Sequence, residues 1–174
     1  EPPGGGPLPP IQRGESDAGF LLHSPGFAPP QLAHLRIARE PLVLALPEQH
    51  PLAASRGLPL ARVLAEPLVM FPRRILPSLH DAVFGLYHAA GREPLVAQEA
   101  IQMQTIVNLV SAGLGLAWVP DSVRQFQRPG VVYRTPGGAQ GLKVPRCETS
   151  LVWRPEPGAV LSRFIGFARG HVSA

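Results

Sequence analysis

Apolar positions in this chain come in short bursts whose spacing changes along the sequence. SDAGFLLHS holds an apolar run, Ala18 to Leu22, between turn-prone flanks, which predicts a short strand. Residues 32 to 38 alternate loosely and predict an extended run. LVLAL (42 to 46) is apolar at every position. A strand apolar throughout is covered on both faces, which points to an α/β protein rather than a one-faced sheet. EQHPLAASRG reads as an exposed connection and LARVLAE (60 to 66) as a short helix. Leu68 to Phe71 predicts another strand. Leu79, Val83, Leu86 and Ala90 then fall on one helical stripe, with Ser78 as candidate cap and Asp81 three residues on. Gly91 ends that helix and Pro94 bars a restart. Leu95 to Ala100 predicts a strand, and Gln102 to Ala112 a helix burying Met103, Ile106, Val107 and Val110.

The stretch NLVSAGLGLAWVP (108 to 120) places Gly113 and Gly115 between that helix and the next strand, Leu116 to Val119. A dinucleotide fingerprint needs the order strand, glycine turn, helix, so that phosphate meets a helix N-terminus. Here the order is reversed, and a helix C-terminus repels anions. Gly113 therefore reads as a glycine in the left-handed region just past the helix, and Gly115 as room for close approach to the sheet. A short helix starts at Pro120 and Asp121 and ends near Gln127. Strand VVYR (131 to 134), loop PGGAQG, strand TSLVWR (149 to 154) and a closing helix over 158 to 170 follow. Val160, Phe164 and Phe167 are expected on its inward side. The β-α-β-α-β order predicts a mainly parallel sheet with right-handed crossovers. EPPGGGPLPP carries five prolines and three glycines, so residues 1 to 12 read as a disordered lead.

Composition changes this picture little. A chain of 174 residues, 45% apolar, can bury a real core in one or two domains. No run approaches the ~20 apolar residues of a membrane helix, so no membrane association is expected. The net charge of +4 is scattered over pairs such as Arg36 and Arg39 or Arg124 and Arg128 rather than gathered into a nucleic-acid patch. The one cysteine, Cys147, excludes an internal disulfide and a multi-cysteine zinc site, which fits a reducing compartment.

Catalytic signals are weak. The six histidines form no HExxH or other metal-like pair, and His80 and His88, eight apart, are not adjacent on one helix face. Arg146 beside Cys147 would lower the thiol pKa, but no base partner is evident. No catalytic residue, metal or cofactor is assigned, and an enzyme is not expected. FPRRILPS (71 to 78) is more informative, because it follows a buried strand and precedes a helix N-terminus. Open α/β sheets bind ligands at such strand ends. Phe71, Pro72, Arg73, Arg74 and Ile75 are the candidate ligand-binding residues there. Ala100, Ile101 and Gln102 form a second junction of the same kind. Arg73 and Arg74 with open amides near Ser78 would suit a small carboxylate.

Taken in order, several stretches resemble the effector-binding domain of LysR-type transcriptional regulators: RGESDAGFLL (13 to 22), REPLVLALPEQHPLA (39 to 53), LAEPLVMFPRRILPSLHDAV (64 to 83), QEAIQMQTIVNLVSAGLGLAWVPDS (98 to 122) and TSLVWR. The resemblance spans about residues 13 to 170. It implies an α/β, type II periplasmic-binding-protein-like fold: two lobes joined by strands crossing near 35 to 45 and returning near 147 to 154. Residues 13–40 and 150–174 would then be a remnant of the first lobe and 41–149 the second lobe. It further implies a small-molecule effector, an anionic aromatic or dicarboxylic acid, in the interlobe cleft. DNA would be bound only through a winged helix-turn-helix absent from this stretch, in a cytoplasmic homodimer or homotetramer. The family's opening strand and helix are expected to be missing, leaving a sheet edge unpaired, and Leu22 stands where some relatives that sense aromatic acids carry a basic residue. Other classes on this fold are a transporter's solute-binding protein, which predicts an export signal, and a dehydratase-like enzyme, which predicts a paired acid and base.

Overall fold

The computed structural model describes residues 8–55, 57–136 and 143–172. The expected PGGAQG loop lies, apart from Pro136, outside the described residues. Helix α1 (Leu8–Arg13) leads into strands β1 (Ala18–His23) and β2 (Ala33–Pro47). Helix α2 (Leu60–Val63), strand β3 (Leu68–Met70), helix α3 (Pro77–Ala89), strand β4 (Val96–Glu99), helix α4 (Met103–Ser111) and strand β5 (Ala117–Pro120) follow. A 3-10 helix (Asp121–Phe126), strands β6 (Val131–Arg134) and β7 (Arg146–Trp153) and helix α5 (Ala159–His171) complete the order.

The two extended runs expected around residues 32 to 46 are one strand. β2 spans fifteen residues with an irregularity between Arg36 and Ala38. Its first part, Ala33 to Pro41, pairs antiparallel with β7, whose other edge pairs antiparallel with β1. Its second part, Leu42 to Pro47, lies between β5 and β6, both antiparallel. β3 and β4 pair in parallel, and a parallel bridge from Leu68 to Leu116 joins them to β5. The mainly parallel sheet expected from element order is therefore corrected: parallel pairing is confined to β3, β4 and that bridge. An all-apolar strand reports burial on both faces but not the direction of its neighbours.

Alternation along β2 builds two cores. Leu42, Leu44 and Leu46 point into a cluster with Leu60, Val63, Leu79, Val83 and Leu86 of α2 and α3. Val43 and Ala45 point the other way, against Ile106, Val107 and Val110 of α4. Each such leucine, taken wholly out of water, stabilises the fold by about 1.5–3 kcal/mol before entropy. Gly113 has φ +82° just past α4, and its amide donates to the Val110 carbonyl, the helix-ending geometry its position predicts. A Cβ on Gly115 would sit 2.5 Å from the Pro67 carbonyl oxygen, so only glycine lets this turn lie against β3.

Three expectations are corrected by packing. The lead is not unstructured throughout, because α1 starts at Leu8 and Ile11 is buried with Leu21, Leu32 and Val152. Ser78 does not cap α3: Leu76 holds the cap position, Pro77 opens the helix, and the Ser78 side chain bonds Ser24 instead. His80 and His88 are not adjacent, as expected: Phe84 lies between them, and His80 stacks on it at 4.1 Å while His88 meets it edge-on. On α5 the inward residues are Leu161, Ile165 and Ala168, whereas Val160, Phe164 and Phe167 face out, 83%, 46% and 62% exposed. The helix carries two apolar stripes about 100° apart, and periodicity alone does not choose between them.

Candidate functional site

The parallel pairing of β3 and β4 sets their C-terminal ends side by side. Phe71 to Ile75 leave one end and Ala100 to Gln102 the other. The Ala100 amide donates to the Met70 carbonyl at 3.0 Å, which ties the two junctions together. Phe71 is half-buried and packs against both cores, and Ala100 packs against the α4 core. Pro72 is buried, and its carbonyl accepts from the Ile75 amide, closing a tight turn. Ile101 is 52% exposed, and Gln102 sits at the cap of α4 in extended backbone, with no side-chain cap bond.

The arginines behave differently from each other. Arg73 is held by Asp81, one turn into α3, through two hydrogen bonds of 2.7 Å. That bond, before any other influence, holds the Asp81 carboxyl below the usual carboxylate range. Arg74 is exposed and makes no ion pair among the described residues.

A cavity of about 350 Å³ opens beside these residues, between the end of β1 with its following loop and the start of α3. Leu21, Leu22, Phe27 and Pro29 form one wall; Ile75, Leu76 and Pro77 form the other. His23, Gln31, Ser78 and Asp81 are its polar members. Of the eight residues singled out in the sequence, Ile75 is the one that lines it. Phe71 instead borders a space of about 10 Å³ with His80, Leu79 and Trp118, room for about one water.

The cavity's walls are pinned by a pair of serines. The Ser24 amide donates to Ser78 Oγ at 3.1 Å, and the Ser24 hydroxyl donates to the Ser78 carbonyl at 2.9 Å. His23, 2% exposed, is fixed beside them. Its Nδ1 donates to the Ser24 carbonyl at 2.8 Å, and its Nε2 is hydrogen-bonded to the Ser150 hydroxyl at 2.9 Å. The wall from Leu21 to Gln31 carries no charge motif. Its one signal in sequence was the run of turn residues SPGFAPP directly after an apolar strand.

Nucleophile and metal chemistry are not assembled here. Arg146 does act to lower the Cys147 pKa, as expected, but burial first, and then the nearby Glu40 carboxylate, outweigh it and push the thiol up to about 12. Cys147 is fully buried. Among the described residues no group of three or more His, Cys, Asp or Glu is placed to hold a metal ion. No helix among them is long and apolar enough to cross a membrane.

The family model for the LysR substrate binding domain matches residues 4–173. The HTH-type transcriptional regulator IlvR of Caulobacter vibrioides is 44% identical over 153 residues, covering 87% of this chain and 49% of that regulator. The chain thus spans about half the length of this relative. The crystal structure of CbnR, a LysR family transcriptional regulator, is similar with a TM-score of 0.71 and 28% identity, covering 96% of this chain and 56% of CbnR. The cofactor-binding domain of the Cbl transcriptional regulator shares the fold with a TM-score of 0.75 at 19% identity, covering 97% of this chain and 74% of that domain. The chain belongs to the LysR substrate-binding domain family, with its periplasmic-binding-protein-like type II fold.

Proposed function

From that membership we propose that this chain is the sensor of a DNA-binding transcriptional regulator, and that it reports a small molecule held between β1's end and α3. The family is one of regulators that bind effectors, not of enzymes. The observation that carries the reading for this chain is the cavity of about 350 Å³, walled by the end of β1 with its following loop on one side and the start of α3 on the other, and joined by the Ser24–Ser78 bonds. A molecule that prefers the joined arrangement biases the angle between the two halves, and a few kcal/mol of differential affinity is enough. No bond-making step is assigned to any residue.

For the effector we propose a small acid with an apolar body. The cavity walls, Leu21, Leu22, Phe27, Ile75 and Pro77, suit an aromatic ring better than a second carboxylate. Arg74 and the open amides of Ser78 and Leu79 at the start of α3 would meet the acid group. Phe71 to Ile75 and Ala100 to Gln102 remain the proposed rim of the site. In the whole regulator we propose that DNA is read by a winged helix-turn-helix outside these residues, in a cytoplasmic homodimer or homotetramer. The likeness to CbnR, a structure of which was solved at full length with its target DNA, supports the DNA-binding part of this reading.

Thermal melting with added benzoate, against succinate at equal concentration, tests the reading. Benzoate at a hundred times its Kd raises stability by about 2.7 kcal/mol. Succinate leaves melting unchanged, and Ile75→Asp abolishes the benzoate shift. An unchanged Tm with every small acid tried removes this site.

A further inference from the structure

Among the described residues four polar or charged side chains are buried: His23, Ser24, Glu148 and Ser150. Glu148 lies opposite His23 in register, and its ion-pair partners are Arg36 and Arg39 of β2. The other three form one hydrogen-bonded path from the first sheet to α3. Ser150, wholly buried on β7, is bonded at 2.9 Å to Nε2 of His23. Nδ1 of the same ring donates to the Ser24 carbonyl at 2.8 Å. The Phe27 amide donates to that carbonyl as well, at 3.0 Å, and closes the turn after β1. The Ser24 amide and hydroxyl both donate to Ser78 on α3. Every polar group of Ser24 is thus committed: its carbonyl backward to the ring and the turn, its amide and hydroxyl forward to α3. Buried polar groups cost free energy unless each is satisfied, and a hydrogen bond, unlike an apolar contact, fixes a direction. Three such residues at one joint specify its geometry more than its strength.

That geometry is the width of the cavity. Leu21, Leu22 and Phe27 flank Ser24 on one wall, and Ile75, Leu76 and Pro77 precede Ser78 on the other. We propose that His23 is a positioning residue of the sensor: by fixing the Ser24 carbonyl it aims Ser24 at Ser78, and so holds the cavity assembled before anything enters it. The proposal deepens the sensor reading and rests on it. A preassembled site spares a ligand the ordering that binding would otherwise require. Apparent affinity falls in proportion to the fraction of molecules whose site is assembled. A chain with the Ser24–Ser78 clasp closed one time in ten therefore binds about tenfold more weakly, with every contact to the ligand unchanged.

Three variants separate positioning from contact and from plain stability. His23→Asn keeps a donor where Nδ1 stands and loses the bond to Ser150. His23→Gln reaches Ser150 and loses the Ser24 carbonyl. Ser78→Ala removes the acceptor of the Ser24 amide. Benzoate affinity is read by titration calorimetry, and exchange of the Ser24 amide by NMR in the ligand-free chain. His23→Gln and Ser78→Ala each speed that exchange at least tenfold and weaken benzoate at least tenfold. The double variant is no more than twofold weaker than either single one, because both open the same clasp. His23→Asn stays within threefold of the parent chain in both readouts. A purely structural histidine would lower Tm in both His23 variants without this split. Three results overturn the proposal: unchanged Ser24 exchange in His23→Gln, losses that multiply in the double variant, or His23→Asn as weak as His23→Gln. Should His23→Gln not fold, Ser150→Ala replaces it, since it frees the ring to swing. It must speed Ser24 exchange at least threefold, and no change there also overturns the proposal. The exchange readout needs no ligand. Faster exchange with no benzoate binding to the parent chain supports the joint and sinks the effector reading, whereas benzoate binding with unchanged exchange sinks the role of His23 alone.

Discussion

One strand serves both sheets of this molecule, yet its two parts are buried very differently. From Leu42 to Leu46 every side chain is at most 1% exposed, because α2 and α3 cover one face and α4 the other. From Ala33 to Ile37 the same strand is half-buried or exposed, with α5 on one face and only the short α1 cluster beneath its sheet. The lesson is that an apolar strand is stabilised by what covers it, not by its own composition. The first half has a similar sheet with less cover, and its unsatisfied surface is concentrated on β1 and α5.

Core truncation is the strongest way to break that comparison. Leu44→Ala in the doubly covered part should cost about 2–5 kcal/mol in urea unfolding, and Ile165→Ala on α5 distinctly less. Equal losses would mean that the two halves are equally well packed. Gly115→Ala comes next, since its Cβ meets Pro67 backbone; a loss of about 1–3 kcal/mol is expected from the forced shift of β3. Gly113→Ala should cost about 1–2 kcal/mol, the strain of a left-handed residue, because open space surrounds its Cβ. Labelling sharpens the comparison with a smaller effect. Cys147 sits at the meeting of the two sheets, and a thiol reagent at pH 8 should leave it unmodified until denaturant is added. Rapid native labelling would show that the junction opens.

The smallest effect concerns the rim of the cavity. Asp81 is a carboxyl whose pKa is lowered in the folded chain by Arg73. The pair's contribution is therefore present above the ordinary carboxylate range and fades as pH falls through the lowered value. NMR titration of the Asp81 side chain should give a midpoint below the ordinary carboxylate range. Arg73→Ala should return Asp81 to the ordinary range. Because both groups are exposed, little stability should change with them.

Much of this architecture was written in the sequence through short-range rules. A glycine after an apolar helix and before an apolar strand ends the helix whatever lies around it, so Gly91 and Gly113 were legible. LVLAL announced its double burial. What distant partners decide was hidden. Strand direction depends on β7 arriving from a hundred residues away, and the phase of α5 depends on which of two stripes the sheet meets. Ser78 looked like a cap because its partner, Ser24, is far off in the chain. The site was half legible for the same reason. Ile75 and the loop around it follow from a strand end meeting a helix start, whereas the opposite wall, Leu21 to Gln31, is made of residue types that signal only a turn. Arg73 looked available because its tie to Asp81 spans a bend that composition does not reveal.

The continuity of β2 limits how the molecule can respond to anything it captures. A strand of fifteen residues shared by both halves resists their sliding or separating, since β2 pairs with β7 in its first part and with β5 and β6 in its second. The irregular step between Arg36 and Ala38 is where that ladder is locally relaxed. The strand passes from β7 to β5 and β6 at Pro41 and Leu42, so a bound molecule that tilts one half against the other must bend β2 there.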